Sequence, residues 1–219
     1  MVRYNCISHN NTIYWHKLTK MIAVLTGDII NSKQGEVRQW LPTLKACLAK
    51  YGDQPASWEI FRGDSFQLAL EPKKALIAAL HLKSSIKTSK LHDIRIAIGI
   101  GKTDHYAHSI TESNGTAYNY SGEAFDLLKK QSLAIRTSNK PWDKKMNLLF
   151  KLALLSANQW SPIVAMVIKT AIENSEKSQK EIAQLLGKSQ SVISETFKRG
   201  GYEEMTELNH YFQQQISSL

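Results

Sequence analysis

The chain has 219 residues, 42% of them hydrophobic and 21% charged, which supplies a core and excludes a disordered chain. Its formal net charge of +9 favours an anionic partner such as nucleic acid or a nucleotide. The two cysteines, Cys6 and Cys47, accompany no CxxC pair or histidine cluster, so no disulfide or zinc framework is expected and a reducing cytoplasm fits.

Residues 1–20 contain no acid, no apolar h-region and no clear period, and are expected to be a loosely ordered extension. Residues 22–26, IAVLT, read as a strand buried on both faces, and 29–34 as a polar turn. Val37, Leu41, Leu44, Leu48 and Tyr51 recur at helical spacing and predict a helix over about 36–51, ended by Gly52, Asp53 and Pro55. Alternation at Trp58, Ile60 and Arg62, resumed at Phe66, Leu68 and Leu70, predicts a hairpin with Gly63-Asp64 in its turn. Pro72 opens a helix over about 72–88, and Ile94, Ile96, Ile98 and Ile100 mark the next strand. A surface loop over 102–116, a short strand over Tyr118–Ser121 and a helix over 122–132 complete this part.

Strand, helix, strand, strand, helix, strand is the βαββαβ plan of ferredoxin-like folds, so the expected class is α+β, with one domain over 21–135. Residues 136–143, RTSNKPWD, have the composition of a linker. Only helical periods follow, which predicts a small all-α domain over 144–219. No apolar run approaches the ~20 residues of a membrane span.

Besides Gly52-Asp53 after the first helix, two Gly-Asp pairs stand at the ends of strand-like runs. Asp28 closes the first apolar run in MIAVLTGDIINS, and Asp64 tips the hairpin in EIFRGDSFQL. Taken singly, each is a turn in which glycine permits positive φ and aspartate caps backbone. In the βαββαβ plan, however, the first strand lies beside the third, so both acids fall at one edge of the sheet. Two nearby carboxylates repel unless a cation lies between them. Mg²⁺ suits such a pair, because it accepts one or two carboxylates and lets phosphates complete its shell. Asp28 and Asp64 are thus candidate metal ligands. With Ile29, Gly63 and Lys130 they are also candidate contacts to a nucleotide or phosphate ligand. His81 lies on an apolar helix face and reads as structural. His105 and His108 lack a third metal ligand.

Asp28 in LTGDIINS resembles the first metal aspartate of class III nucleotidyl cyclases, and FRGDSFQLAL is similar to their Gly-Asp hairpin. Residues 95–101, RIAIGIG, resemble the strand that follows, and GEAFDLLKK at 122–130 matches the spacing of the cyclase GxxVNxAxR helix. That resemblance marks Asp126 and Lys130 as catalytic candidates. Asp126 replaces the cyclase asparagine, Lys130 its transition-state arginine and Ile60 its purine-reading lysine, which favours binding over catalysis. Over about 21–212 the whole arrangement is similar to the SatD-type bacterial family, in which such a domain precedes C-terminal helices.

Residues 178–199, SQKEIAQLLGKSQSVISETFKR, read as a helix-turn-helix. Ser178 and Glu181 form a capping box, Gly187 makes the turn and Ser189 caps the second helix. Ile182, Ala183, Leu185 and Leu186 supply one apolar face; Val192, Ile193, Thr196 and Phe197 are expected to point inward. Gln190, Ser191 and Ser194 can reach base edges, while Lys188, Ser189, Lys198 and Arg199 can hold phosphates. Glu195 on the same face would repel phosphate.

The expected function is a cytoplasmic, homodimeric DNA-binding regulator whose first domain senses a nucleotide or phosphate ligand with Mg²⁺. No haem, flavin or zinc, and no membrane partner, is expected. The alternatives are a nucleotidyl transferase or cyclase-like enzyme using Mg²⁺ and a nucleoside triphosphate, and a catalytically inactive interaction module.

Overall fold

The structure, a computed structural model, describes residues 21–217; the expectation for 1–20 lies outside the described residues. A five-stranded mixed sheet is formed by β1 (Met21–Ile30), β2 (Trp58–Phe61), β3 (Ser65–Leu70), β4 (Asp93–Lys102) and β5 (Leu133–Arg136), in the order β2-β3-β1-β4-β5. All neighbours pair antiparallel except β4 and β5. The helices are α1 (Leu41–Leu48), α2 (Ala75–Ile86), α3 (Thr116–Asp126), α4 (Lys140–Ala157), α5 (Pro162–Glu173), α6 (Gln179–Leu185), α7 (Gln190–Gly200) and α8 (Tyr202–Ile216).

The pleat sorts each strand into two faces. Leu25, Phe66, Leu68 and the isoleucines at 94, 96, 98 and 100 point into one core, shared with Leu44, Leu76, Phe150, Ile168 and Phe212 of α1, α2, α4, α5 and α8. The opposite face carries Thr26, Asp28, Ser65 and Arg95, and part of it is covered by Ala124 of α3 and by Leu128 just beyond that helix, both packed on Ala97. Gly99 permits that docking: a Cβ there would lie 2.2 Å from the Ala117 carbonyl oxygen and 2.3 Å from the Ser121 nitrogen. Thr26 and Ser121 then share a buried hydroxyl bond of 2.9 Å across the layer.

Several expected boundaries move, each for a physical reason. Helix α1 begins at Leu41 rather than 36, because Pro42 occupies its first turn and cannot lie inside a longer helix. The expected strand at 118–121 lies inside α3, whose small face of Ala117, Ser121 and Ala124 is buried. That helix stops at Asp126, so 127–132 is not helical.

The span expected as a linker holds the end of β5 and the first turn of α4. The strand is short, but β4 pairs with one edge and Asn147 of α4 bonds the Ile135 N–H and C=O on the other, at 2.9 and 2.8 Å. Asn139 caps α4, and the Thr137 N–H and hydroxyl donate to Asp143 at 3.0 and 2.8 Å. The later helices therefore share the sheet's core instead of standing apart from it.

Buried polar groups fasten the layers. The Lys83 ammonium on α2 bonds Asp93 at 2.8 Å and Ser132 at 3.2 Å, and Ser132 donates to Asn158 after α4 at 3.0 Å. Burial pushes the Lys83 pKa down, against the pull of Asp93. His81 on α2 bridges Tyr51 at 2.9 Å and Glu173 of α5 at 3.1 Å, which is the structural role expected for it.

Candidate functional site

Register brings the two acids to one end of the central strands. Asp28 on β1 lies opposite Ser65 on β3 and Arg95 on β4. Asp64 immediately precedes Ser65, and its carbonyl accepts the Ile29 N–H at 3.2 Å. The turn holding it is built by left-handed backbone at Arg62 (φ 52°) and Gly63 (φ 91°). A Cβ on Gly63 would meet nothing within 4 Å, so glycine serves conformation there and not space.

The carboxylates differ in their partners. Arg95 grips Asp28 bidentately, with Nε donating to Oδ1 at 2.9 Å and Nη2 to Oδ2. The Phe125 ring of α3 supports the guanidinium, 5.5 Å from its centroid. Asp64 accepts from the Ser32 hydroxyl and, at 3.5 Å, from Ser65. The bond to Asp28 raises the Arg95 pKa against the cost of burial, and the charges of Asp28 and Asp64 add to that rise. Of the two acids, Asp28 holds the guanidinium directly, and Asp64 is held by the two serines.

The remaining expected contacts scatter. The Ile29 side chain is in the core, and only its backbone reaches Asp64. Asp126 ends α3 and Lys130 lies in the bend beyond it. Both are exposed, and among the described residues neither bonds Asp28 or Asp64. Ile60, cross-strand from Phe66, packs against the core. His105 and His108 are exposed, and no cluster of three or more metal-ligating side chains occurs among the described residues.

Sequence reasoning missed Arg95 and Ser32. The signal for Arg95 was its parity, because it alternates with buried isoleucines and so faces the same side as Asp28. Ser32 stood within the GDIINS motif without an assigned role. Glu59 was also overlooked: it accepts bonds from Ser109 and, at 2.6 Å, Thr111. These two bonds, Ser109 first, hold its pKa below the usual carboxylate value.

At the C-terminal end, the Ser178–Glu181 capping box and the Ser189 cap both form. Gly187 turns at φ 61°, and the Lys188 N–H closes on the Ala183 carbonyl at 2.9 Å. Ile182, Ala183, Ile193 and Phe197 form a small core with Val167 and Ala171 of α5. Leu185 and Val192, expected inward, are 56% and 41% exposed. The α6–α7 pair is too short to enclose them, and α5 covers only the side of Ile182 and Ile193. Lys188, Ser189, Gln190, Ser191, Lys198 and Arg199 are exposed and Ser194 is half-buried.

A mixed sheet with an acid–guanidinium notch at one end, backed by a shell of helices, defines an α+β protein. No helix among the described residues is long and apolar enough to cross a membrane. The chain belongs to the SatD family, whose profile matches residues 21–214. Comparison with curated proteins returned no match.

Proposed function

We propose that this protein is a DNA-binding regulator whose sheet binds a phosphate-bearing ligand together with Mg²⁺. The strand order β2-β3-β1-β4 reads as the ferredoxin-like arrangement of nucleotidyl cyclases, with β5 added at one edge. The observation that carries the reading is that register sets Asp28 opposite Ser65, the neighbour of Asp64, while the Ile29 N–H bonds the Asp64 carbonyl, so acids from separate parts of the chain meet at one sheet end. Their carboxylates and the hydroxyls of Ser32 and Ser65 are hard oxygen donors, which fits Mg²⁺. Such an ion would supply charge to neutralise phosphate oxygens. Arg95 holds both Asp28 oxygens, so a cation taking Asp28 competes with it, and the released guanidinium can grip phosphate bidentately. Among the described residues neither Asp126 nor Lys130 bonds Asp28, Asp64 or Arg95, which supports binding over cyclase-type catalysis.

The α6–α7 pair is read as a helix-turn-helix, with α7 entering the major groove. Lys188, Lys198 and Arg199 can neutralise about three phosphates, giving a log–log salt slope of about −2.7 per chain. That is weak for a monomer, so a homodimer on two half-sites is the expected binding form. Helix α5 packs on both the main core and the α6–α7 core.

Calorimetry with a nucleoside triphosphate should show Mg²⁺-dependent binding that Asp64→Asn abolishes; an absence of metal dependence in the parent protein overturns the notch reading. Gel retardation on the DNA upstream of the protein's own reading frame should weaken several-fold in Gln190→Ala/Ser194→Ala. Unchanged retardation overturns the DNA reading. Product formed from labelled triphosphate would favour the enzyme alternative.

A further inference from the structure

A second concave site lies at the far edge of the sheet. It is a groove of about 510 Å³ between the end of α3, strand β5 and helix α4. That volume is within the range of small-molecule sites. One wall is apolar, built by Ala124, Leu127, Leu128 and Ala134, and the other is polar, with Arg136, Lys140 and Lys151. Leu127 is 67% exposed, a large apolar side chain left beside the groove.

The charges there are unequal. Arg136 is spent in part on Glu123, at 2.8 Å. Lys140 and Lys151 are exposed and, among the described residues, take part in no ion pair or hydrogen bond. Asp143 is the one acid lining the groove, and both its oxygens accept from Thr137, at 3.0 and 2.8 Å. Burial pushes the Asp143 pKa up, against the Thr137 bonds and the Arg136 charge. Gln131 lines the groove too, and its Nε2 is buried with no partner. A buried donor without an acceptor costs free energy that an incoming oxygen would recover.

We infer that this groove binds a small anion with an apolar body, its carboxylate, phosphate or sulfonate head on Lys140 and Lys151 and its body on Leu127, Leu128 and Ala134. The apolar wall is too broad for a bare inorganic ion, and the free ammoniums are misplaced for a neutral hydrocarbon. This site is separate from the acid–guanidinium notch, which lies on the other side of β4 from β5.

The test uses 8-anilinonaphthalene-1-sulfonate, an aromatic anion whose fluorescence rises in an apolar site, titrated without metal into the full chain. Saturable binding is expected. Lys140→Glu/Lys151→Glu should weaken it about tenfold or more, and Leu127→Ser several-fold. Lys144→Glu/Lys145→Glu makes the same charge change on the same helix outside the groove and should have little effect. Far-UV circular dichroism checks that the variants, all at exposed positions, keep the fold. The inference is overturned by an absence of saturable binding, by a Lys140→Glu/Lys151→Glu chain that binds like the parent, or by equal loss in the Lys144→Glu/Lys145→Glu chain. The last result would report only the field of a basic helix.

Discussion

Gly99→Ala tests whether α3 is seated by close backbone approach. The added methyl would lie 2.2 Å from the Ala117 carbonyl oxygen and 2.3 Å from the Ser121 nitrogen, where ordinary contact begins at 3.4 Å. Both neighbours are helix backbone, so α3 must recede by roughly 1 Å, enough to forfeit a quarter to a half of its contact energy with the sheet. Such a shift also parts Thr26 from Ser121, two buried hydroxyls now bonded at 2.9 Å. Ser121 keeps its bond to the Tyr118 carbonyl, so only Thr26 is orphaned. Overpacking at about 1–3 kcal/mol and one orphaned hydroxyl at about 1–3 kcal/mol give a loss of about 2–6 kcal/mol, centred on about 3–4 kcal/mol. With a slope of about 2 kcal/mol per molar, the urea midpoint should fall by roughly 1.5–2 M. Gly122→Ala, in the same helix with nothing within 4 Å of the new methyl, should instead stabilise by about 0.5–1 kcal/mol. If Gly99→Ala costs under about 1 kcal/mol, or Gly122→Ala costs as much as Gly99→Ala, the account of the α3 interface is wrong. Because Phe125 supports Arg95 from α3, Gly99→Ala should also weaken the Mg²⁺-dependent binding proposed for the notch.

Acid should destabilise the protein through His81 first. Burial holds its pKa below the free value of 6.5 despite Glu173, so between the two values the unfolded chain binds the extra proton and stability falls as pH drops. For Glu173 burial acts upward, but Lys169, His81 and Lys50 outweigh it and the pKa is lowered from 4.5. Its contribution is present above the unfolded value and is lost as pH falls through the folded one. Urea midpoints measured from about pH 7.5 down to 5.5 should therefore decline, and His81→Gln should flatten that decline. A flat profile in the parent protein contradicts this. Cys47, 2% exposed and with its thiol pushed up to about 12 by burial, should resist iodoacetamide at about pH 8 until denaturant is added. Rapid labelling of Cys47 in the native protein would show that the α1–α2 layer opens.

Local chemistry made much of the chain legible. The Gly63-Asp64 pair between two alternating runs signals a hairpin, and both strands form on either side of it. Alternating isoleucines at 94–100 specify a strand, and Ser178 with Glu181 specifies a helix start. These signals lie within a few residues of the structure they set, so the sequence alone carries them.

What needed the tertiary structure involves partners distant in the chain. Residues 133–136 form a strand only because β4 supplies one edge and Asn147 the other; alone, four residues hold no ladder. The small residues of 116–126 read poorly as a helix until Gly99 lets them meet the sheet. Arg95 became part of the site through register, since a strand shifted by one residue would send it into the core. Periodicity determined which face each residue takes; the long-range pairing of β1 with β3 and β4 decided which residues meet there, because no local signal encodes a neighbour on another strand.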